Sequence, residues 1–402
     1  MTAPSAEAGP IRCAEIFWTF LRIGLSSFGG PVAHVAQFHR ELVLARRWVS
    51  EQQYGQLVAL CQFLPGPATS QVGFSLGLMR GGWRGALSAY CGFTLPSALL
   101  MFAFAILLPQ FSGLWGPAIL HGLKLVAVAV VAHGVIVMGR ALCPDWQRLA
   151  IAGFAMWIVL SQASAWAQSA AIAWGALSGL FLCRFAGTLS ADQLHVPYST
   201  RTGLYLLALF FGLLVAALLA PSDDGLGAAA GAFARAGALV FGGGHVVLPL
   251  LEGAVVAPGW LTEDEFLAGY GAAQALPGPM FSFAAFLGAR LPVPFGGLPG
   301  ALVALIAIFA PGLLLVSGSL PLWQSMTRHR LAAQAVAGIN AAVVGLLAAA
   351  LYHPVWSSAV HGVIDLLIAG VGFTWLITRR GSAWIVVIWC VAANITRTAC
   401  GW

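Results

Sequence analysis

The chain has 402 residues, of which 60% are hydrophobic and only 8% charged, and it carries 15 tryptophans; no soluble core of this size could bury so much apolar surface. The net charge of +6 comes from 18 arginines and one lysine against 13 acids, and in a chain this apolar such an excess marks cytoplasmic loops, so nucleic-acid binding is the weaker reading. The apolar runs, such as 204–220, are continuous rather than alternating, which predicts an all-α polytopic membrane protein and excludes a β-barrel.

In chain order, the first eleven residues are small and polar, and no short apolar core with a cleavage site follows, so no cleaved leader is expected. Residues 13–45 are apolar on both sides of Phe28-Gly29-Gly30-Pro31, and His39, Arg40, Arg46 and Arg47 make the end amphipathic. Residues 51–79 are apolar around Pro65-Gly66-Pro67, with Arg80 and Arg84 next. Each segment is too long and too broken for a plain spanning helix. Unbroken helices are predicted over 86–108, 118–138, 149–167, 169–183 and 203–220, with 191–201 as a polar, cytoplasmic loop. The second half offers broken segments at 231–256 and 265–289, then helices over 300–320, 331–351, 361–378 and 383–398.

The two halves repeat. Phe20-x-Arg22-x-Gly24 and Phe28-Gly29-Gly30 recur at Phe233-x-Arg235-x-Gly237 and Phe241-Gly242-Gly243, an offset of 213; Trp48, Glu51 and Gln62-x-x-Pro65-Gly66-Pro67 recur at Trp260, Glu263 and Gln274-x-x-Pro277-Gly278-Pro279, an offset of 212. The expected division is a first repeat over 1–202, a linking helix and external loop over 203–230, and a second repeat over 231–402. If the broken segments are re-entrant hairpins, almost all arginines of the first half fall on one face, which the positive-inside rule makes cytoplasmic together with the N-terminus. Asp223, Asp224, Glu252, Glu263, Asp264 and Glu265 then lie outside, and Arg290 and Arg397 are exceptions. The loop with Arg46 and Arg47 corresponds to Ala257-Pro258 beside an acidic run, so the halves face opposite sides as inverted-topology repeats.

Paired broken helices in corresponding places point to a binding site at the repeat interface. Each half-helix start exposes N–H groups and the positive end of a dipole, which suits an anion. Candidate ligands of the substrate are Arg22, Phe28, Gly29, Gly30, Gln62, Pro65, Gly66, Pro67 and Ser70 in the first half, and Arg235, Phe241, Gly242, Gly243, Gln274, Pro277, Gly278, Pro279 and Ser282 in the second. Thr69 could add a hydroxyl. The plain alternatives are packing kinks for the glycines and prolines, and snorkelling to the interface for the arginines. A guanidinium at matched positions before both Phe-Gly-Gly breaks favours an oxyanion, which it binds bidentately. His34 and His245 follow those breaks and are candidate coupling residues, although a lone histidine is more often structural.

Lys124, His133, Asp365 and Glu15 are further ionisable groups within apolar runs; Lys124 corresponds to Asn340, so its charge belongs to one half. The seven cysteines lie singly and read as small buried hydrophobes, with Cys61 beside Gln62 the one to watch. No nucleophile elbow, phosphate loop, metal-spaced histidine pair or dinucleotide fingerprint occurs, so no enzyme activity, cofactor or metal is expected.

On Phe20-x-Arg22-x-Gly24-x-x-x-Phe28-Gly29-Gly30-Pro31, Pro65-Gly66-Pro67 and their second copies, the chain resembles the chromate ion transporter family in its long, two-domain bacterial form. The resemblance implies a multi-pass protein of the bacterial plasma (inner) membrane that exports chromate and confers chromate resistance, with halves of opposite orientation. Gly244 departs from Pro31 and softens the second Phe-Gly-Gly break. Import or exchange of sulfate, a near-isosteric dianion, is the alternative, and a membrane enzyme or scaffold a more distant one. The expected partners are thus chromate or sulfate and the lipid bilayer; the sequence leaves the oligomeric state open, a homodimer included.

Overall fold

The computed structural model describes residues 12–27, 30–110, 115–161, 167–183, 194, 196–220, 225–241, 247–323, 330–379 and 383–400. Within them the chain is helical and forms no strand. The first repeat begins with α1 (Cys13–Ser26) and α2 (Gly30–Phe38), which widens into a π turn over His39–Ala45, followed by α3 (Glu51–Phe63) and α4 (Ala68–Leu107). After these come α5 (Gly116–Leu142), α6 (Trp146–Ser161) and α7 (Ala167–Leu182), and then α8 (Thr200–Leu219). The second repeat follows the same order: α9 (Leu226–Leu239), α10 (Val247–Val255), α11 (Glu263–Ala275), α12 (Phe283–Ala289), α13 (Gly297–Ser319), α14 (Arg330–Ala350), α15 (Val363–Arg379) and α16 (Ala383–Ala399).

Among the described residues, five helices are long and apolar enough to cross a membrane, in the regions of α4, α5, α8, α13 and α14. At 1.5 Å per residue the broken segments cannot span as single helices, and the ends of the first show that it returns. Arg46, at the end of the first broken segment, lies 3.6 Å from Glu15 at its beginning, so that segment is a re-entrant hairpin. α4 reverses at Gly81 and Gly82, where Gly82 sits at φ +59°, and this folds Gly77 onto Gly85. In the second repeat Gly288 meets Gly300 in the same way around the longer turn 290–296.

Small residues let the hairpins lie against the spanning helices at backbone distance, the usual device where lipid offers no hydrophobic driving force. A Cβ on Gly24 would be 2.8 Å from the Phe93 carbonyl, and one on Gly237 would be 2.0 Å from that of Ile308; Gly24 and Gly237 are repeat mates, and so are Phe93 and Ile308. The repeats then exchange partners. Gly338 of α14 packs on Gly175 and Gly179 of α7, while its mate Gly122 of α5 packs on Val391 of α16. His361, eleven residues beyond α14 and past the turns over Leu351–Trp356 and Ser357–Ala359 that continue it, stacks on His121 near the start of α5 at 5.8 Å, whereas Gln334 near the start of α14 donates to the Cys183 carbonyl beyond α7. The equivalent helices α5 and α14 therefore run in opposite directions, which makes the repeats inverted.

The two arginines that broke the positive-inside pattern are neutralised. Arg290 pairs with Glu265, and Arg397 binds Asp365, a carboxylate 1% exposed that also receives His121 at 2.9 Å and the backbone N–H of His361 at 3.1 Å. Cys61, Cys183 and Cys390 are buried as expected, while Cys91 and Cys400 are exposed.

Candidate functional site

The four helix breaks meet across the repeats. The Gly66 amide donates to the Val240 carbonyl at 2.7 Å, and the Gly278 amide donates to the Ser27 carbonyl at 2.9 Å. Gly66 and Gly278 are mates, and so are Ser27 and Val240, so a pseudo-two-fold axis passes between the two bonds. Each Pro-Gly-Pro break of one half is thus sewn to the residue just before the Phe-Gly-Gly break of the other. The central glycines lie at φ +124° and +102°, a region L side chains rarely enter, and the flanking prolines remove the donors that would continue a helix.

Polar side chains gather differently at the two junctions. At Gly66, the wholly buried Gln71 amide donates to the Pro65 and Gly312 carbonyls, both at 2.9 Å, and so satisfies acceptors that the breaks free. Beside it Ser70 is buried and its hydroxyl has no partner among the described residues. At Gly278, Ser97 and Ser282 share a hydrogen bond of 2.7 Å, and the Ser97 hydroxyl also donates to the Thr94 carbonyl. His34 is buried there, edge-on to Phe93, with Nε2 3.2 Å from the Ser27 carbonyl and Nδ1 without a partner among the described residues. The repeat mate of His34 is Val247, so this imidazole serves one junction alone.

The cavity beside the second junction, walled by Ser97, Ala273, Gly278, Met280 and Ser282 among others, is about 10 Å³. That admits about one water and is too small for a tetrahedral oxyanion. The second junction is closed in this conformation.

Of the candidates read from the sequence, Pro65, Gly66, Pro67, Ser70, Phe241, Pro277, Gly278, Pro279 and Ser282 lie at or next to the junctions, and Gly30 opens α2. Phe28, Gly29, Gly242, Gly243 and His245 lie outside the described residues. The described hydrogen bonds bring neither arginine to the breaks. Arg22 is exposed on the outer face of α1, and Arg235 donates to the Ala217 carbonyl at 2.5 Å, capping the last turn of α8 as a cation can. Gln62 is exposed, and Gln274, a hydrogen-bond partner of the Tyr270 side chain, also reaches the Met280 sulfur at 3.6 Å. Gln71, Ser97 and Thr94 were not among the candidates. Gln71 and Ser97 are placed by contacts with the opposite repeat, and their mates Phe283 and Gly312 carry no such group, so the repeat pattern gave no signal.

Comparison with known proteins adds an independent line. The family model for chromate transporters matches residues 14–180 and 228–395, one block in each repeat. A "Probable chromate transport protein" of Synechococcus elongatus is 31% identical over 337 residues, 83% of this chain and 82% of the relative. A "Chromate transport protein" of Pseudomonas aeruginosa is 29% identical, covering 85% and 80%, and one of Cupriavidus metallidurans 30%, covering 84% and 81%. No solved structure matches the chain. With both repeats matched and the relatives covered over most of their length, the chain belongs to the chromate transporter family, a family of membrane transporters and not of enzymes.

Proposed function

We propose that the protein exports chromate from the cytoplasm across the bacterial inner membrane, with its N-terminus in the cytoplasm, and so confers chromate resistance. The observation that carries the reading is the reciprocal pair of backbone bonds, Gly66 to Val240 and Gly278 to Ser27, which joins all four breaks at the repeat interface. Opening either junction frees backbone N–H groups at half-helix starts, donors suited to a tetrahedral dianion. The Ser70, Ser97 and Ser282 hydroxyls and the Gln71 amide stand beside the junctions to complete its coordination. Arg22 binds the anion on its approach, and Arg235 holds α8 against the second hairpin. The unit division remains that of the two repeats, 1–202 and 231–402, with 203–230 as the link.

The test is uptake of radiolabelled chromate into inside-out vesicles, with and without excess sulfate. Uptake that sulfate does not compete supports chromate export. Uptake of sulfate in place of chromate would overturn the substrate, and flux only into right-side-out vesicles would overturn the direction.

A further inference from the structure

The first turn of α11 carries three acids, Glu263, Asp264 and Glu265, and two of them hold cations from different elements. Asp264 binds the Lys124 ammonium of α5, and Glu265 binds the Arg290 guanidinium just after α12. Lys124 is the only lysine in the chain, and it is buried at 9% exposure. The backbone of Leu123 lies against Gly271, about two turns further along α11 than Asp264, so the lysine stem runs along α11 toward the membrane face to reach its carboxylate. Glu265 and Arg290 are also mostly covered, at 30% and 27% exposure. These pairs clamp the start of α11 between a helix of the first repeat and the hairpin of the second.

Among the described residues the start of α3 has no Lys or Arg clamp; its one acid, Glu51, meets His39 Nε2 at 2.7 Å on an exposed face. Gln52 and Gln53 of α3 stand where Asp264 and Glu265 stand in α11, and Asn340 of α14 stands where Lys124 stands in α5. Gln53 closes a capping box with Ser50, and the Asn340 side-chain oxygen has no partner among the described residues. Two gates otherwise related by the pseudo-two-fold axis thus differ by two ion pairs. α11 itself is a rod of 13 residues, about 20 Å long, and it ends three residues before Gly278. Movement of its first turn is therefore delivered to the Gly278–Ser27 junction and to the cavity beside it.

We infer that the Lys124–Asp264 and Arg290–Glu265 pairs form the gate on the face where α11 begins, keeping the Gly278 junction shut until they part to let the anion out. The four residues are positioning residues that act through α11 and need not touch the anion. The inference rests on the reading that the anion crosses at the repeat interface. The α3 face, held at its start by the Ser50–Gln53 box and the exposed Glu51–His39 contact but by no Lys or Arg pair among the described residues, opens more readily, so the resting protein is closed toward the α11 side.

The experiment uses the full-length protein in proteoliposomes with Ala273→Cys, a change in the wall of the closed cavity, and a membrane-impermeant thiol reagent on the α11 face. The parent without that cysteine sets the blank for the native thiols. Asp264→Asn together with Glu265→Gln should raise the labelling rate at Cys-substituted 273 about fivefold with no chromate present, the effect of losing roughly 1 kcal/mol of ion pairing. Asp264→Glu together with Glu265→Asp keeps both charges and should label as slowly as the parent, which a general loosening of the packing would not allow. Unchanged labelling in the amide variant, or equal acceleration in the charge-preserving one, would overturn the gate. Because labelling needs no anion, a protein that responds in this way yet fails to move chromate would count against the substrate and leave the gate standing.

Discussion

Gly278 donates its amide to the carbonyl of Ser27, 251 residues earlier in the chain, and the bond holds the fourth helix break against the first. Both Gly278 and its mate Gly66 pay for this position with a positive φ, and neither leaves room for a side chain: a Cβ would lie 2.8 Å from Ser97 Oγ at Gly278 and 2.7 Å from Gln71 Nε2 at Gly66.

Gly66→Ala and Gly278→Ala should each lose about 1–3 kcal/mol of stability to backbone strain. Misplacing the junction by a fraction of an ångström should cut initial chromate flux by about 10- to 100-fold. Vesicle uptake normalised to the amount of folded protein reads the effect. Parental flux in both variants would remove the junctions from the transport path.

Asp365→Ala should be among the most destabilising changes in the chain. The carboxylate gathers Arg397 at 2.7 Å, His121 at 2.9 Å and a backbone N–H, and removing it strands two side chains, with an expected loss of about 3–5 kcal/mol. Asp365→Asn keeps an acceptor and should lose less. Thermal unfolding in detergent measures the order; an Ala variant as stable as the parent would show the cluster to be incidental.

What the sequence made legible follows from what repeats. Matched Gly and Pro breaks revealed the repeat, and the Arg46–Arg47 loop against Ala257-Pro258 beside an acidic run revealed its inversion; the arginine tally favoured re-entrant hairpins, and the contact of Arg46 with Glu15 shows the first one closing. Side-chain destinations were less legible, because they depend on neighbours distant in sequence. Arg235 and Arg22 occupy one repeat position, yet Arg235 meets the end of α8, while the Arg22 side chain makes no ion pair or hydrogen bond among the described residues. The exchange of α5 and α14 between repeats could not be read either, since the small residues that permit it, Gly122 and Gly338, are common throughout so glycine-rich a chain.

That divergence makes the two arginines separable. Arg235→Ala removes a charged hydrogen bond to a helix terminus and should lower stability by about 1.5–3 kcal/mol, with Arg235→Lys largely restoring it. Arg22→Ala should leave the unfolding temperature unchanged and abolish export, with Arg22→Lys only partly active because the bidentate fork is lost. Wild-type flux in Arg22→Ala would leave snorkelling as its role.

The orientation can be checked with single cysteines. Val293, 94% exposed in the turn after α12, should label from outside the cell, and Gln52, at the start of α3 and the mate of Asp264, only from inside. Val293→Cys and Gln52→Cys in intact cells, treated with an impermeant reagent, decide it. Labelling of both from one side would contradict the inversion of the repeats.

The last prediction concerns driving force. Moving one charge through the membrane potential is worth about 2.3 kcal/mol per 100 mV, so a dianion leaving an inside-negative cell gains about 4.6 kcal/mol, on the order of a thousandfold gradient, with no coupling ion. Export therefore needs no proton. Among the described residues, His34 is the histidine at a junction, and it stands only at the Ser27 end, where its Nε2 faces a carbonyl that Gly278 already occupies. A single imidazole so placed can tune the opening of one junction, but its absence from the other, where Val247 takes its position, leaves that junction without a matching titration. Collapsing the membrane potential at constant pH should stop export in vesicles. Collapsing the pH gradient alone should slow it by no more than about twofold. The opposite pattern, in which the pH gradient drives export and the potential does not, would refute electrogenic uniport and make His34 a coupling residue.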